Sequence, residues 1–576
     1  MQSRTKRGRY PGMAFKPCLF VAAAIGATSA QGFQIDAGPD WQVHWDNTVS
    51  YNLGMRVQSV DDKIGDNPLF NESDYKFSKA GDIVTNRIAD LSEFDAVYKN
   101  DIGFRVSGSA FNDFAFDDDV EFNPGEVAPG TPYSALSTYS NNKFSSYTKR
   151  YYQRGAQLLD AFVFGNFDIA GHASSVRIGR LTQFWGNALI FGAEGINYSQ
   201  NASDNIKALN SPGTQAKELA IPRAQFLFQT ALTPTMTLAA QVFGEFYGNR
   251  LPEGGTYLGT FGFAFSGPDQ LPGGAGTNGG SREPGNFNSN YGLKYTWSPD
   301  WMSGGNVGAY YRRLDEVQPW LLFGVDPGTG AVNYHLSYNE NVKLYGLSLD
   351  QQIGQLSTGF EASYRQGTAL NSATGPLPTD LSGRQGPRGN TINLIANVLA
   401  GLTPTALYQT GTFLAEVAVT HKVSVTSNQA LYNGVDNASG CPSGSKKDGC
   451  STDNAVGIAA QFDPQWLQVF PGVDLDTPVF AQYGISGNGP SVGGVINQGT
   501  IVYTAGVHAF VRQRYNLSLQ YNGFHAPTNG LTNAAGGAAG GVPLGTPGFP
   551  SYYNANNQQF FFNDKGWVSL TFSTVF

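Results

Sequence analysis

Cysteine, methionine, histidine and charge are all scarce in this chain. It has 3 Cys, 5 Met and 6 His in 576 residues, and 14% charged residues, where an average soluble domain carries about 25%. After residue 30 no apolar run approaches the roughly 18 residues that a membrane-crossing helix needs, which excludes helical spans. The histidines at 44, 172, 335, 421, 508 and 525 are scattered and form no ligand spacing, so no metal or other cofactor is expected. The net charge is −8 and acidic, which argues against nucleic acid as a partner.

What is abundant is glycine, at 72 residues, and aromatic side chains, at 13%. A helix-poor chain rich in both, with slightly negative mean hydropathy, is what strands alternating between lipid and water produce. The run 41–57 has the clearest alternation. Trp41, Val43, Trp45, Val49, Tyr51, Leu53, Met55 and Val57 share one face, and Gln42, His44, Asp46, Thr48, Ser50, Asn52, Gly54 and Arg56 the other. It is longer than the 9–11 residues a tilted strand needs to cross a bilayer. Further strands are expected at 88–99, 102–114, 156–168, 173–182, 223–232, 236–247, 290–297, 305–313, 342–351, 356–365, 390–399, 411–422, 455–463, 476–487, 500–511, 514–523 and 566–576. Short links such as Lys99-Asn100-Asp101 alternate with long Gly-, Asn- and Ser-rich ones such as 115–155 and 183–222. The expected fold is therefore an all-β, antiparallel up-and-down transmembrane barrel of about eighteen strands, or about sixteen if two weaker segments are discarded, with long extracellular loops. The links 400–410 and 464–475 are longer than a periplasmic turn should be. The Gly-rich tracts 487–489 and 534–541 read as flexible loop tips.

Residues 1–30 read as a signal peptide with cleavage after Ala30 or Gly32, followed by one barrel domain over 31–576. Arg4, Lys6, Arg7, Arg9 and Lys16 precede an apolar stretch from Leu19 to Ala27, and Met13 is an alternative start to Met1. Removing these five positive and no negative charges takes −8 to −13. Cys18 precedes the apolar stretch, which argues against a lipid anchor. Cys441 and Cys450 lie in a turn-rich segment and are expected to form a loop disulfide.

Ionisable residues on the inward faces are the candidate pore lining: Arg56, Arg105, Arg180, Arg312 and Arg365 against Glu93, Asp95, Asp160, Glu361 and Glu416, with Asp46 among the acids. His44, Asp46 and Ser50 share a face of one strand. Same-face neighbours lie about 6.5–7 Å apart, too far for a nucleophile–base pair, so no enzyme is expected. The long segment 183–222 carries Phe184, Trp185, Leu189, Ile190 and Phe191, which a solvated loop tip would not favour, and it is the candidate for a loop folded into the lumen.

The terminal strand, from Gly566 to the aromatic Phe576, looks like the assembly signal of bacterial outer-membrane barrels. Further motifs are Gly179-Arg180, Trp185-Gly186-Asn187, Asp204, Pro212-Gly213 and Lys217-Glu218. Together with Phe470-Pro471-Gly472-Val473-Asp474-Leu475, Pro478, Ser486-Gly487, Leu91 to Asp95 and Phe33 to Ile35, these resemble a family of uncharacterised Gram-negative outer-membrane proteins known mainly as a domain of unknown function. Asn187 departs from the family pattern, which often has an acid there. The resemblance implies a barrel transporter in the cell outer membrane and suggests apolar cargo such as steroids or fatty compounds. The expected function is a channel or uptake barrel for small, hydrophobic or aromatic molecules. The alternative is a component of a lipid or hydrophobe transfer pathway with periplasmic or inner-membrane partners. Expected partners are outer-membrane lipid, a small solute, the barrel-assembly machinery, and either a second copy or a transfer-pathway protein.

Overall fold

The computed structural model describes residues 33–66, 71–288, 290–302, 304–325, 328, 330–373, 385–441, 444–528, 538–539, 542–543 and 556–576. The expected signal peptide and most of the tract 534–541 lie outside them.

Alternating sequence becomes one continuous antiparallel sheet. Its strands are β1 Trp41–Arg56, β2 Ile83–Tyr98, β3 Ile102–Asp113, β4 Arg154–Ile169, β5 His172–Leu181 and β6 Arg223–Thr233. Next come β7 Met236–Phe243, β8 Tyr291–Trp297, β9 Asn306–Leu314, β10 Val342–Ile353, β11 Leu356–Ala369 and β12 Arg388–Gly401. The last six are β13 Thr410–Ser427, β14 Asn454–Phe470, β15 (Val473–Asp476 continued by Val479–Ser486), β16 Ile501–Val511, β17 Tyr515–His525 and β18 Trp567–Val575. The sheet has 20 strand segments; one is the short Phe33–Ile35 against β1, and two belong to β15, which leaves a ring of 18.

The ring closes where β18 pairs with both β17 and β1. At the seam Phe576 and Asn47 exchange backbone hydrogen bonds of 2.8 and 3.0 Å. Closure leaves no sheet edge, the condition for a sheet in hydrocarbon. Leu570, Phe572 and Phe576 are exposed on the outside, whereas Trp567, Ser569 and Thr571 are buried inside. The same outward row of exposed apolar residues runs through Leu293, Leu347, Leu394 and Leu517. With short turns at one end and long loops at the other, this is an outer-membrane β-barrel.

Strand boundaries differ from the expected ones in two informative places. β2 begins at Ile83, five residues early, and a bulge between Gly54 and Met55 lets its start pair with β1. The apparent long link 464–475 is a hairpin extension: β14 runs through Pro464 to Phe470 and turns on Pro471-Gly472, where Gly472 has φ of +77°. The segment 487–489 is not a flexible tip. Asn488 is fully buried and donates to the carbonyls of Lys446 and Cys450. Cys441 and Cys450 are joined as a disulfide in this same loop packing.

Outside the membrane the long loops between β1 and β2, β3 and β4, β7 and β8, and β9 and β10 build an aromatic cap. Phe77, Phe116, Tyr139, Tyr257, Phe263 and Tyr334 pack in one buried cluster that reaches Trp567 at the start of β18.

Candidate functional site: a loop pinned across the lumen

The connection 182–222 does not extend β5 outward. It passes into the barrel and is bonded to the wall on opposite sides. On β11, Glu361 accepts from the amides of Asn187, Ala188 (2.8 Å) and Ile196 (2.7 Å). On β13, Glu416 accepts from three consecutive amides, Leu189 at 2.7 Å, Ile190 at 2.8 Å and Phe191 at 2.5 Å. A carboxylate is suited to this, since convergent backbone N–H groups form an anion nest and charge-assisted bonds are the stronger kind.

The carbonyls of the same segment meet cations. Arg312 on β9 donates at 2.8 Å to both Ile196 and Tyr198, and Arg365 on β11 donates at 3.0 Å to Gly195 while lying 3.7 Å over the Tyr198 ring. Arg223 on β6 donates to Gln200 at 2.7 Å, and Gln200 in turn accepts from the Trp185 amide at 2.8 Å. Trp185 packs with Ile196, Leu227 and Tyr310. Gly186 has φ of +91°, and a side chain there would meet the Glu361 carboxylate. Asn187 donates from its side chain to Leu349 O at 3.1 Å.

The far half of the loop rests on the opposite wall. Asp204 caps the helix Asn205–Asn210 by accepting from the Lys207 amide, and it pairs with Arg250 at 2.7 Å. Pro212 O accepts from Asn52 on β1 and Thr571 on β18, each at 3.1 Å. Arg87 on β2 donates to Ser211 at 2.6 Å. Lys217 pairs with Glu93, and Glu218 with Lys207 at 3.3 Å.

The ionisable wall residues thus divide into four groups. Glu361, Glu416, Arg312 and Arg365 face inward but are occupied by the loop, and Arg56 is fully buried against Phe77 O and Asp564 under the cap. Arg105 gathers Glu93, Asp95 (3.2 Å) and Asp160 (3.4 Å) into one cluster beside Lys217. Arg180 is a correction. Its partner across the strands is Ala224, it shares the outward row of Ile178 and Phe226, and it meets Glu245 and Tyr247 of a long loop. The apolar parity of Val176 and Ile178 carried that signal. Phe184 and Leu189, expected to be buried with their neighbours, are exposed, whereas Trp185, Ile190 and Phe191 are buried. Arg87, Asn52 and Arg223 are loop-holding residues that sequence reasoning missed, and only their inward parity marks them. Glu316, beyond the end of β9, also holds the loop by accepting from the Tyr198 hydroxyl at 2.7 Å, and no strand pattern marks it.

Among the described residues, two of the spaces against the loop are sizeable. One, of about 680 Å³, lies between residues 207–219 and the wall of β1–β3 and β14–β18; Thr48, Ser50 and Glu93 line it together with Leu91, Phe480 and Phe510. The other, of about 300 Å³, lies under Gly186 and Asn187 against β6–β10.

The family model described as a protein of unknown function (DUF1302) matches residues 14–576. The chain belongs to this family. No curated protein matches the sequence. Among solved structures, this DUF1302 barrel is similar to OccAB2 of Acinetobacter baumannii, with TM-score 0.40, 10% identity, and 93% of this chain and 98% of that one covered. It is also similar to the outer-membrane protein opdK of Pseudomonas aeruginosa (TM-score 0.38, 9% identity, 93% and 98% covered). A third is the outer-membrane channel DcaP of Acinetobacter baumannii (TM-score 0.34, 11% identity, 95% and 99% covered).

Proposed function

We propose that this barrel is an uptake channel for small solutes, with the loop 182–222 as its constriction. The observation that carries the reading is that one loop is bonded to opposite walls of the lumen and leaves a cavity of about 680 Å³ beneath it. A ring of eighteen strands is too wide for wall side chains to fill, so an inserted loop sets the size of what passes. The inward residues Glu93, Asp95, Arg105 and Asp160 line the passage, and the mixed polar and aromatic lining suits molecules with both a polar group and an apolar body. No chemistry on bound solute is required of any residue.

The transfer-pathway alternative has one observation in its favour. An open groove of about 840 Å³ lies on the outer wall among Trp45, Phe94, Val106 and Leu158. Swelling of liposomes carrying the protein, in isosmotic solutes of graded size, separates the two. A channel admits the smallest solutes and excludes the larger. Exclusion of every solute, with lipid exchange between vesicles instead, favours transfer.

A further inference from the structure

The smaller space under the loop has a lining that the fold does not use. Lys294 on β8 faces inward, since its neighbour Leu293 is exposed on the lipid side. Arg312, Arg365 and Arg87 each donate to the loop. Lys294 has no hydrogen bond or ion pair among the described residues; the Tyr310 ring stands 5.8 Å from the ammonium, measured to its centre, and the nearest opposite charge that acts on it is Asp350.

Tyr310 is itself held: its hydroxyl and that of Ser348 lie 3.1 Å apart. Two rungs towards the periplasm, on β10, is Asp350. Asn306 donates to its Oδ2 at 2.7 Å, and its Oδ1 has no hydrogen bond among the described residues. Lys294, Tyr310, Ser348, Asn306 and Asp350 all line the same pocket of about 300 Å³, roofed by Gly186 and Asn187. An ammonium at one end and a carboxylate oxygen at the other, both uncommitted and with hydroxyl groups between them, form an unfilled pair of opposite charges. Keeping such charges unpaired in a partly enclosed space is costly unless a ligand or water meets them.

We infer that this pocket is a binding subsite for a small amphoteric solute, whose carboxylate meets Lys294 and whose cationic or donor group meets Asp350. The inference rests on the channel reading for its role in transport, but the site itself does not. Its position just below the Glu361-held turn puts a bound solute against the constriction, where it selects what the channel passes.

The test uses the full barrel in detergent micelles, with calorimetric titration by γ-aminobutyrate, butyrate and butylamine, and the same protein in planar bilayers. The wild type binds γ-aminobutyrate best. K294M, which keeps the length and stem of the side chain, weakens that binding at least tenfold, and D350N erases the preference of γ-aminobutyrate over butyrate. Heat-modifiable mobility confirms that both variants are folded. Equal binding by K294M and wild type, or no binding by wild type, overturns the inference and leaves the channel reading intact if ions still pass. A wild type that conducts nothing but binds through Lys294 overturns the channel reading and leaves the site.

Discussion

Glu361 on β11 and Glu93 on β2 stand half a ring apart on the barrel wall, and a single loop is bonded to both. Glu361 holds the amides of Asn187, Ala188 and Ile196; Glu93 holds the ammonium of Lys217. The loop between them is therefore a strap tied at both ends, and the end held by Glu361 and its neighbour Glu416 is open to separate tests.

Glu416 is the first. Bonds to charged acceptors contribute about 1.5–3 kcal/mol each, and Glu416 takes three from the loop besides one from Asn397. In E416Q one acceptor oxygen remains, and the amide group that replaces the other cannot accept. Amide hydrogen exchange at Leu189, Ile190 and Phe191 is expected to speed up at least tenfold, with the barrel strands unchanged. Exchange as slow as in the wild type would mean that the carboxylate does not hold the loop.

Gly186 tests the same turn from the loop side. Its left-handed backbone alone costs a substituted residue roughly 1–3 kcal/mol, and a Cβ would also displace Glu361. G186A is expected to raise single-channel conductance while leaving heat-modifiable mobility normal. A conductance equal to wild type would contradict the placement of this turn in the passage.

The extracellular cap contains a pH-dependent tie. Glu72 accepts from the amide and hydroxyl of Thr138, and Glu253 accepts from the Gly267 amide. Burial pushes the Glu72 carboxyl up to about 7 and that of Glu253 up to about 8. Both values lie above the unfolded carboxylate range near 4.5, so between there and pH 7–8 the folded cap binds more protons than the unfolded one. The slope of stability with pH is then negative, and the cap is firmest near pH 5 and loosens as pH rises to 8. Exchange protection at Thr138 and Gly267, corrected for intrinsic rates, is expected to fall over that range. E72Q should flatten the Thr138 profile; a profile that still falls in that variant would assign the effect elsewhere.

The seam gives an assembly test. Phe576 and Asn47 exchange two backbone bonds at the end of β18. Deleting Phe576 is expected to reduce the heat-modifiable, folded fraction in outer membranes several-fold, as read by gel mobility. Unchanged mobility and yield would show that the last pair contributes nothing to closure.

The barrel was legible because alternation over ten or more residues is a strong local signal, and because loop lengths repeat it independently. It failed locally where one residue broke the pattern. Pro464 cannot donate to the ladder, so β14 looks finished there, although the strand resumes and runs to Phe470. Arg180 looks inward only if its charge outweighs its parity with Ile178, and the structure satisfies the charge with Glu245 at the rim. The loop was legible as an insertion from Trp185, Ile190 and Phe191. Its ties were not, because whether Glu361 meets water or the Ile196 amide depends on contacts between residues 165 positions apart. Sequence periodicity holds no information at that range.

The central claim, that residues 182–222 set the constriction, is tested most directly by single-channel conductance in planar bilayers. The comparison is wild type against a variant in which 184–218 is replaced by a short Gly-Ser linker. A small wild-type conductance that rises several-fold in the variant is the predicted result. Equal conductance in two folded barrels would contradict the account.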